Sequence, residues 1–157
     1  MGLLDLFTSS DQPVDTIRPL TRERLIDIFG RMGWKYHINE LDHMGARWGS
    51  AYYFFILCGK EKEILQIAGR MREEIPQDRY DELLDIIEEW HRTTLGPKVY
   101  HSLNDDAQIH VHCEHTIDYE YGATDAQLIH HIRTTLAYSA QFWDTVYERL
   151  GIAKIEG

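Results

Sequence analysis

The chain switches repeatedly between two hydrophobic periods, one helical and one of two residues, and the switches outline its elements. From Pro19 onward, Thr21 suits a helix N-cap, and Leu25, Ile28, Phe29 and Met32 recur at helical spacing before Gly33. Trp34 to Ile38 alternates large apolar with polar residues, which predicts a short strand, and Asn39 to Gly45 supplies a turn. Arg47 to Cys58 reads as a second strand, with Tyr52 to Leu57 apolar on both faces. Such a strand needs cover on both sides, from a helix on one and from a loop, helix or second subunit on the other. Gly59 to Lys62 turns the chain into a third strand, Glu63 to Met71.

Pro76 to Tyr100 is the most sharply two-faced stretch and predicts the helix around which the rest is organised. Asp78 suits its N-cap, and Asp81 and Glu82 fall in the first turn, where the helix dipole favours acids. Tyr80, Leu83, Leu84, Ile87, Trp90 and His91 share one side; Asp78, Asp81, Glu82, Asp85, Glu88 and Glu89 fill much of the remainder. After Gly96-Pro97, Lys98 to Leu103 and Gln108 to Tyr119 read as strands joined by the turn residues Asn104 to Ala107. Thr124 to Gln127 is a capping box that opens the longest helix. The stripe of that helix is Leu128, Ile132, Leu136, Ser139, Trp143, Val146, Tyr147 and Leu150, and Gly151 closes it. Grouped strands between helices predict an α+β fold: an antiparallel sheet of about five strands with three helices, in the order α-β-β-β-α-β-β-α. One domain is expected over residues 19–151, between a flexible N-terminal arm over 1–18 and a tail over 152–157.

Charge narrows the class of partner. The 157 residues carry 26 acids against 16 bases, a net charge of −10, which disfavours nucleic acid and anionic membrane. No apolar run approaches the length of a membrane span. The opening Met1 to Phe7 is apolar but lacks the features of a signal peptide, and Leu6 stands where a myristoylation signal wants Ser or Thr. A loose arm is expected there, with a docking peptide led by Leu3, Leu4, Leu6 and Phe7 as the alternative. Cys58 and Cys113, both within strand patterns, read as reduced core residues of a cytoplasmic protein.

Candidate chemistry is sparse. His110 and His112 share one face of their strand. A hairpin closing around Asn104 to Ala107 sets His101 opposite His110, and His112 opposite Val99, so three imidazoles on one face become a candidate metal set. Against it, Ile109, Val111 and Cys113 are the expected buried side, leaving His110, His112 and Glu114 as ordinary solvated residues. His130-His131 reads as polar flank of the last helix. No phosphate-binding glycine loop, activated cysteine or catalytic triad is legible, so an enzyme is not expected. Arg47, Trp48, Lys98 and Tyr100 form a polar-aromatic set at strand starts that suits a groove for a partner segment. The acidic flank of Asp78, Asp81, Glu82, Asp85 and Glu88 suits a basic protein or peptide.

Leu20 to Leu25 (LTRERL), Arg47-Trp48, Tyr53-Phe54-Phe55 and Leu65-Gln66-Ile67 come in an order and spacing that extend to the C-terminal half. There Glu89-Trp90 is followed by Pro97-Lys98, Thr124 to Leu128 reads TDAQL, and Gln141 to Asp144 reads QFWD. In these words the chain, from Leu20 to Leu150, resembles the YbjN family of bacterial sensory transduction regulators. The resemblance implies a fold like that of type III secretion chaperones, an α+β unit that binds peptides or proteins and often pairs as a dimer. It implies no catalytic residues, and no cofactor is expected. One departure is Glu89 and His91 around the helix Trp, where Asn is usual beside it. The combined expectation is a non-enzymatic, cytoplasmic protein-binding regulator or chaperone-like adaptor that forms a homodimer. A small-ligand or metal sensor using His101, His110 and His112 is the alternative.

Overall fold

The computed structural model describes residues 1–6 and 16–155. Helix α1 (Arg22–Met32) begins with the Thr21 hydroxyl accepting from the Arg24 backbone N–H at 3.2 Å, and ends at Gly33 with φ 68. Its stripe of Leu25, Ile28, Phe29 and Met32 is buried. β1 is only His37–Ile38, the end of the strand expected from Trp34. The run expected as one strand from Arg47 to Cys58 is two. β2 (Met44–Trp48) and β3 (Ala51–Cys58) fold back on each other about Gly49-Ser50, with Gly49 at φ 56. A two-residue turn beginning with glycine satisfies the tight hairpin geometry, and it is masked in the sequence by the apolar residues on either side.

β4 (Ile64–Met71) follows, and then a 3-10 turn (Gln77–Arg79) leads into α2 (Tyr80–Thr93). β5 (Lys98–Leu103), β6 (Ile109–Asp118) and α3 (Asp125–Leu150) complete the chain. The class is α+β as expected, but the order is α-β-β-β-β-α-β-β-α. The antiparallel sheet has six strands rather than about five, in the order β1-β2-β3-β4-β6-β5.

All three helices lie on one face of this sheet, the front. Phe29 of α1 meets Phe55 edge-on at 5.0 Å, Ser139 of α3 shares a 2.7 Å hydrogen bond with the Tyr53 hydroxyl, and Tyr80 of α2 reaches His101 at 2.9 Å. The organising helix is α3, not α2. Every residue of the α3 stripe is buried, together with Ile129, His131 and Phe142. α2 buries Leu83 and Ile86 but leaves Trp90 half-buried and Leu84 and His91 exposed. Its indole meets Phe142 edge-on at 5.2 Å and donates to the Pro97 carbonyl at 2.9 Å, so Trp90 fastens an edge rather than filling the centre. Asp78 is not the N-cap; it sits in the preceding 3-10 turn, and α2 starts at Arg79 without a side-chain cap. Arg79 instead donates to the carbonyls of Leu150 (2.7 Å) and Arg149 (2.9 Å), which closes the C-terminal end of α3.

Two buried polar clusters fix α3 on the front. Asp125, 1% exposed in its first turn, receives Arg24 at 2.6 Å, Arg31 at 2.5 Å and Arg18 at 3.1 Å. Burial opposes its charge, yet the hydrogen bonds from Arg24 and Arg31 hold its carboxyl below the usual range. His131, expected on a polar flank, is 2% exposed. Its ring stands edge-on to His115 at 4.7 Å and bonds the Tyr119 hydroxyl at 3.2 Å, and burial lowers its pKa to about 4. At the centre the Tyr53 ring crosses directly over Gly69: a Cβ there would lie 2.7 Å from the ring and 2.6 Å from the Cys113 sulfur. Trp143 donates to the Tyr53 hydroxyl at 2.9 Å.

The expected loose arm opens with a 3-10 turn (Leu3–Leu6) whose Leu6 is buried, with Arg133 donating to its carbonyl at 2.5 Å. Phe7, residues 8–15 and residues 156–157 lie outside the described residues.

Candidate functional site

Residues directly opposite one another in an antiparallel pair project from the same face. Arg47 stands opposite Tyr52, Tyr52 opposite Arg70, Arg70 opposite His112, and His112 opposite Tyr100. These side chains therefore form one rank running across β2, β3, β4, β6 and β5 on the back of the sheet. The next rank is Gly45, Phe54, Ala68, Glu114 and Lys98, and beyond it Ile56 stands opposite Gln66. No described helix covers them. Tyr52, Phe54, Ile56 and Ala68 are each half-buried, and Arg70 and Tyr100 are exposed. A shallow hollow of about 370 Å³ lies among Tyr52, Phe54, Ala68, Arg70, Tyr100 and His112.

Local contacts hold this surface in place. The His112 and Tyr100 rings stack at 4.9 Å and 14°, and the His112 Nε2 shares a 2.7 Å hydrogen bond with Ser102 Oγ. Lys98 lies 5.3 Å over the Tyr100 ring and pairs with Glu114 at 3.0 Å. Arg72 lies 6.0 Å over the Tyr52 ring. Gly45 leaves room for the His37 ring, 2.9 Å from where a Cβ would stand, and for Phe54 at 3.2 Å. Burial, with help from Arg70, His110 and His101, pushes the His112 pKa down, so its ring is neutral at neutral pH. Arg47 and Arg70 have no hydrogen-bond or ion-pair partner among the described residues.

The expected polar-aromatic set divides between the two faces. Arg47 and Tyr100 end the back rank and Lys98 sits beside it, but Trp48 points to the front. There it is 4% exposed, among the rings of Phe29, Trp34, Tyr53 and Phe55. Neighbours in a strand face opposite ways, so Arg47 and Trp48 cannot serve one groove. Tyr52, Arg70 and His112 join the site through registers that cross strands distant in sequence. On the front side of the molecule, Asp78, Asp81, Asp85 and Glu88 are exposed, while Glu82 is engaged by Arg79.

The three histidines are not brought together. The hairpin pairs Leu103 with Ile109 and Asn104 with Gln108, leaving a three-residue loop with Ala107 at φ 58. This shifts the expected register by one residue, and a one-residue slip changes face. His101 stands opposite Val111 on the front and bonds Tyr80, while His110 and His112 are on the back. No group of three potential metal-binding side chains occurs among the described residues. The departures around Trp90 have structural partners: Glu89 meets Arg149 at 2.6 Å, and His91 accepts from the Val99 N–H at 3.1 Å.

The chain matches a known family. The family model described as "putative bacterial sensory transduction regulator" matches residues 21–148. The chain belongs to the YbjN family. The crystal structure of YbjN from E. coli, described as "a putative transcription regulator", shares its fold with a TM-score of 0.74. That match covers 85% of this chain and 96% of the other, at 9% identity. No curated protein matches the chain. Among the described residues no helix is long and apolar enough to cross a membrane.

Proposed function

We propose that this YbjN-family chain is a non-enzymatic regulator that acts by binding another protein, and that the back of its sheet is the binding surface. The observation that carries this reading is the composition of β3 on that face. An antiparallel sheet with one face in water ordinarily turns polar residues outward, whereas Tyr52, Phe54 and Ile56 project from the back of β3 with no described element over them. Contiguous apolar surface with a polar rim is the signature of an interaction site. The strands beneath it are pinned to α3 on the front through the Tyr53 hydroxyl. Membership of a regulator family is in keeping with a role carried out by association, in the cytoplasm, without a cofactor.

The acidic flank of α2 is a second surface. Leu84 is 37% exposed between Asp81, Asp85 and Glu88, a composition suited to a basic partner. The test of the main reading uses the doubly substituted Phe54→Asp, Ile56→Asp protein. A partner captured by the unaltered protein, identified by mass spectrometry and purified, should lose binding to the substituted one while both melt alike. A partner retained by the substituted protein overturns the assignment to this face, and loss on Leu84→Asp instead transfers it to α2.

A further inference from the structure

We infer that the segment taken up by the back of the sheet is acidic: a stretch of a partner protein that sets carboxylates on either side of an apolar residue. This rests on the preceding reading and names the chemistry of the partner. The charge balance makes the argument. Acids exceed bases by ten in this chain, and Arg18, Arg22, Arg24, Arg31, Arg79 and Arg149 each reach a carboxylate. Arg47 and Arg70 reach none among the described residues, although both project from a folded sheet face where strand register decides their neighbours. The carboxylate in the adjoining rank, Glu114, is drawn toward β5 by Lys98. Arg72 lies over Tyr52 in the same region, and among the described residues its guanidinium reaches only the Ile155 carbonyl, at 3.5 Å.

Geometry adds the apolar requirement. Arg47 and Arg70 are two strands apart, on the order of 10 Å at ordinary strand spacing. Tyr52 lies between them, and the hollow over Phe54 and Ala68 opens beside it. A segment bridging the two guanidinium groups therefore lays its intervening residue on aromatic and methyl surface. Carboxylates suit the guanidinium forks, and desolvation by the rings strengthens such pairs. A polynucleotide fits less well. Tyr100 is already stacked on His112, Tyr52 lies under Arg72, and the net charge of −10 repels a polyphosphate chain.

The probe is a fluorescein-labelled synthetic peptide of alternating glutamate and leucine, followed by anisotropy. A lysine–leucine peptide and a labelled oligothymidylate serve as comparisons. The full chain should bind the glutamate–leucine peptide in preference to both. The Arg47→Gln, Arg70→Gln double substitution should weaken that binding at least about tenfold without shifting the melt, and added salt should weaken it further. Equal binding by the doubly substituted protein overturns the proposal. Preference for the lysine–leucine peptide, abolished by Phe54→Asp, overturns the acidic chemistry while leaving the face as the binding surface. Binding of either peptide that ignores both sets of substitutions overturns the face as well. Oligothymidylate binding lost with the two arginines replaces the proposal with a nucleic-acid site. Self-association lost with them identifies the acidic flank of a second copy as the occupant and overturns a separate partner.

Discussion

The two faces of this sheet are made by the same strands, yet several of their key polar groups are treated in opposite ways. On the front, the Tyr53 hydroxyl is met by Ser139 and Trp143, Asp125 by three arginines, and His131 by Tyr119 and His115. On the back, Arg47 and Arg70 stand without partners among the described residues, beside half-buried aromatic rings. A polar group sealed inside a protein without a partner costs free energy, whereas the same group in water costs none until something covers it. The front thus carries the stability of the fold and the back is free to carry recognition. Substitutions ought to separate the two.

The sharpest separation is expected at Asp125. Asp125→Asn leaves Arg24 buried without its counter-charge and should cost about 3–5 kcal/mol in a urea melt, as loss of one partner of a buried ion pair does. A loss below about 1 kcal/mol would mean that water reaches the cluster and that the front is less sealed than its geometry.

Acid should act on the same face through His131. Its folded pKa of about 4 lies below the ordinary 6.5, so the folded state holds it neutral while the unfolded chain takes a proton. Its contribution is complete above pH ~6.5 and is lost as pH falls toward ~4, about 3 kcal/mol over that window. Asp125, whose carboxyl is held low, adds its own loss only as pH falls below the ordinary carboxylate value. Replacing His131 with Gln should flatten the stability profile between pH ~7 and ~4.5; an unchanged slope would place the acid sensitivity elsewhere.

Trp90 lies at the margin between buried and exposed, and Trp90→Ala should cost about 2 kcal/mol, less than the truncation of a fully buried aromatic. A loss on the scale of Asp125→Asn would restore α2 to a central role. The smallest effect belongs to the back: Arg70→Gln should change the melt by no more than about 0.5 kcal/mol. A larger loss would show that the arginine is structural and would remove the contrast between the faces.

Local sequence was enough for several features. The caps at Thr21 and Thr124, the closing glycines at 33 and 151, and the buried stripe from Leu128 to Leu150 are all present as read, because capping and helical periodicity are short-range properties. The inward side of β6 and the two-sided apolar character of β3 were legible for the same reason. The Gly49-Ser50 turn carried a signal as well, but a continuous apolar run overrode it. Alternation within β2 also separates Arg47 from Trp48, a separation missed when the two are grouped in one set, since adjacent strand residues face opposite ways.

Tertiary structure alone decided the rest. Whether the hairpin loop holds three residues or four depends on Ala107 adopting a left-handed conformation, and that single residue determines which face receives His101. α3 rather than α2 became the organiser because burial depends on where a helix lies over the sheet, not on how cleanly its own faces divide. Arg24 and Asp125 are 101 positions apart, and Tyr52, Arg70 and His112 come from separate strands. Their meetings are products of strand order and register, set by long-range packing that no local pattern encodes. The chain's own periodicity shows that β3 needs cover on two sides; only the assembled sheet shows that no described element covers one of them, which carries two arginines without partners among the described residues.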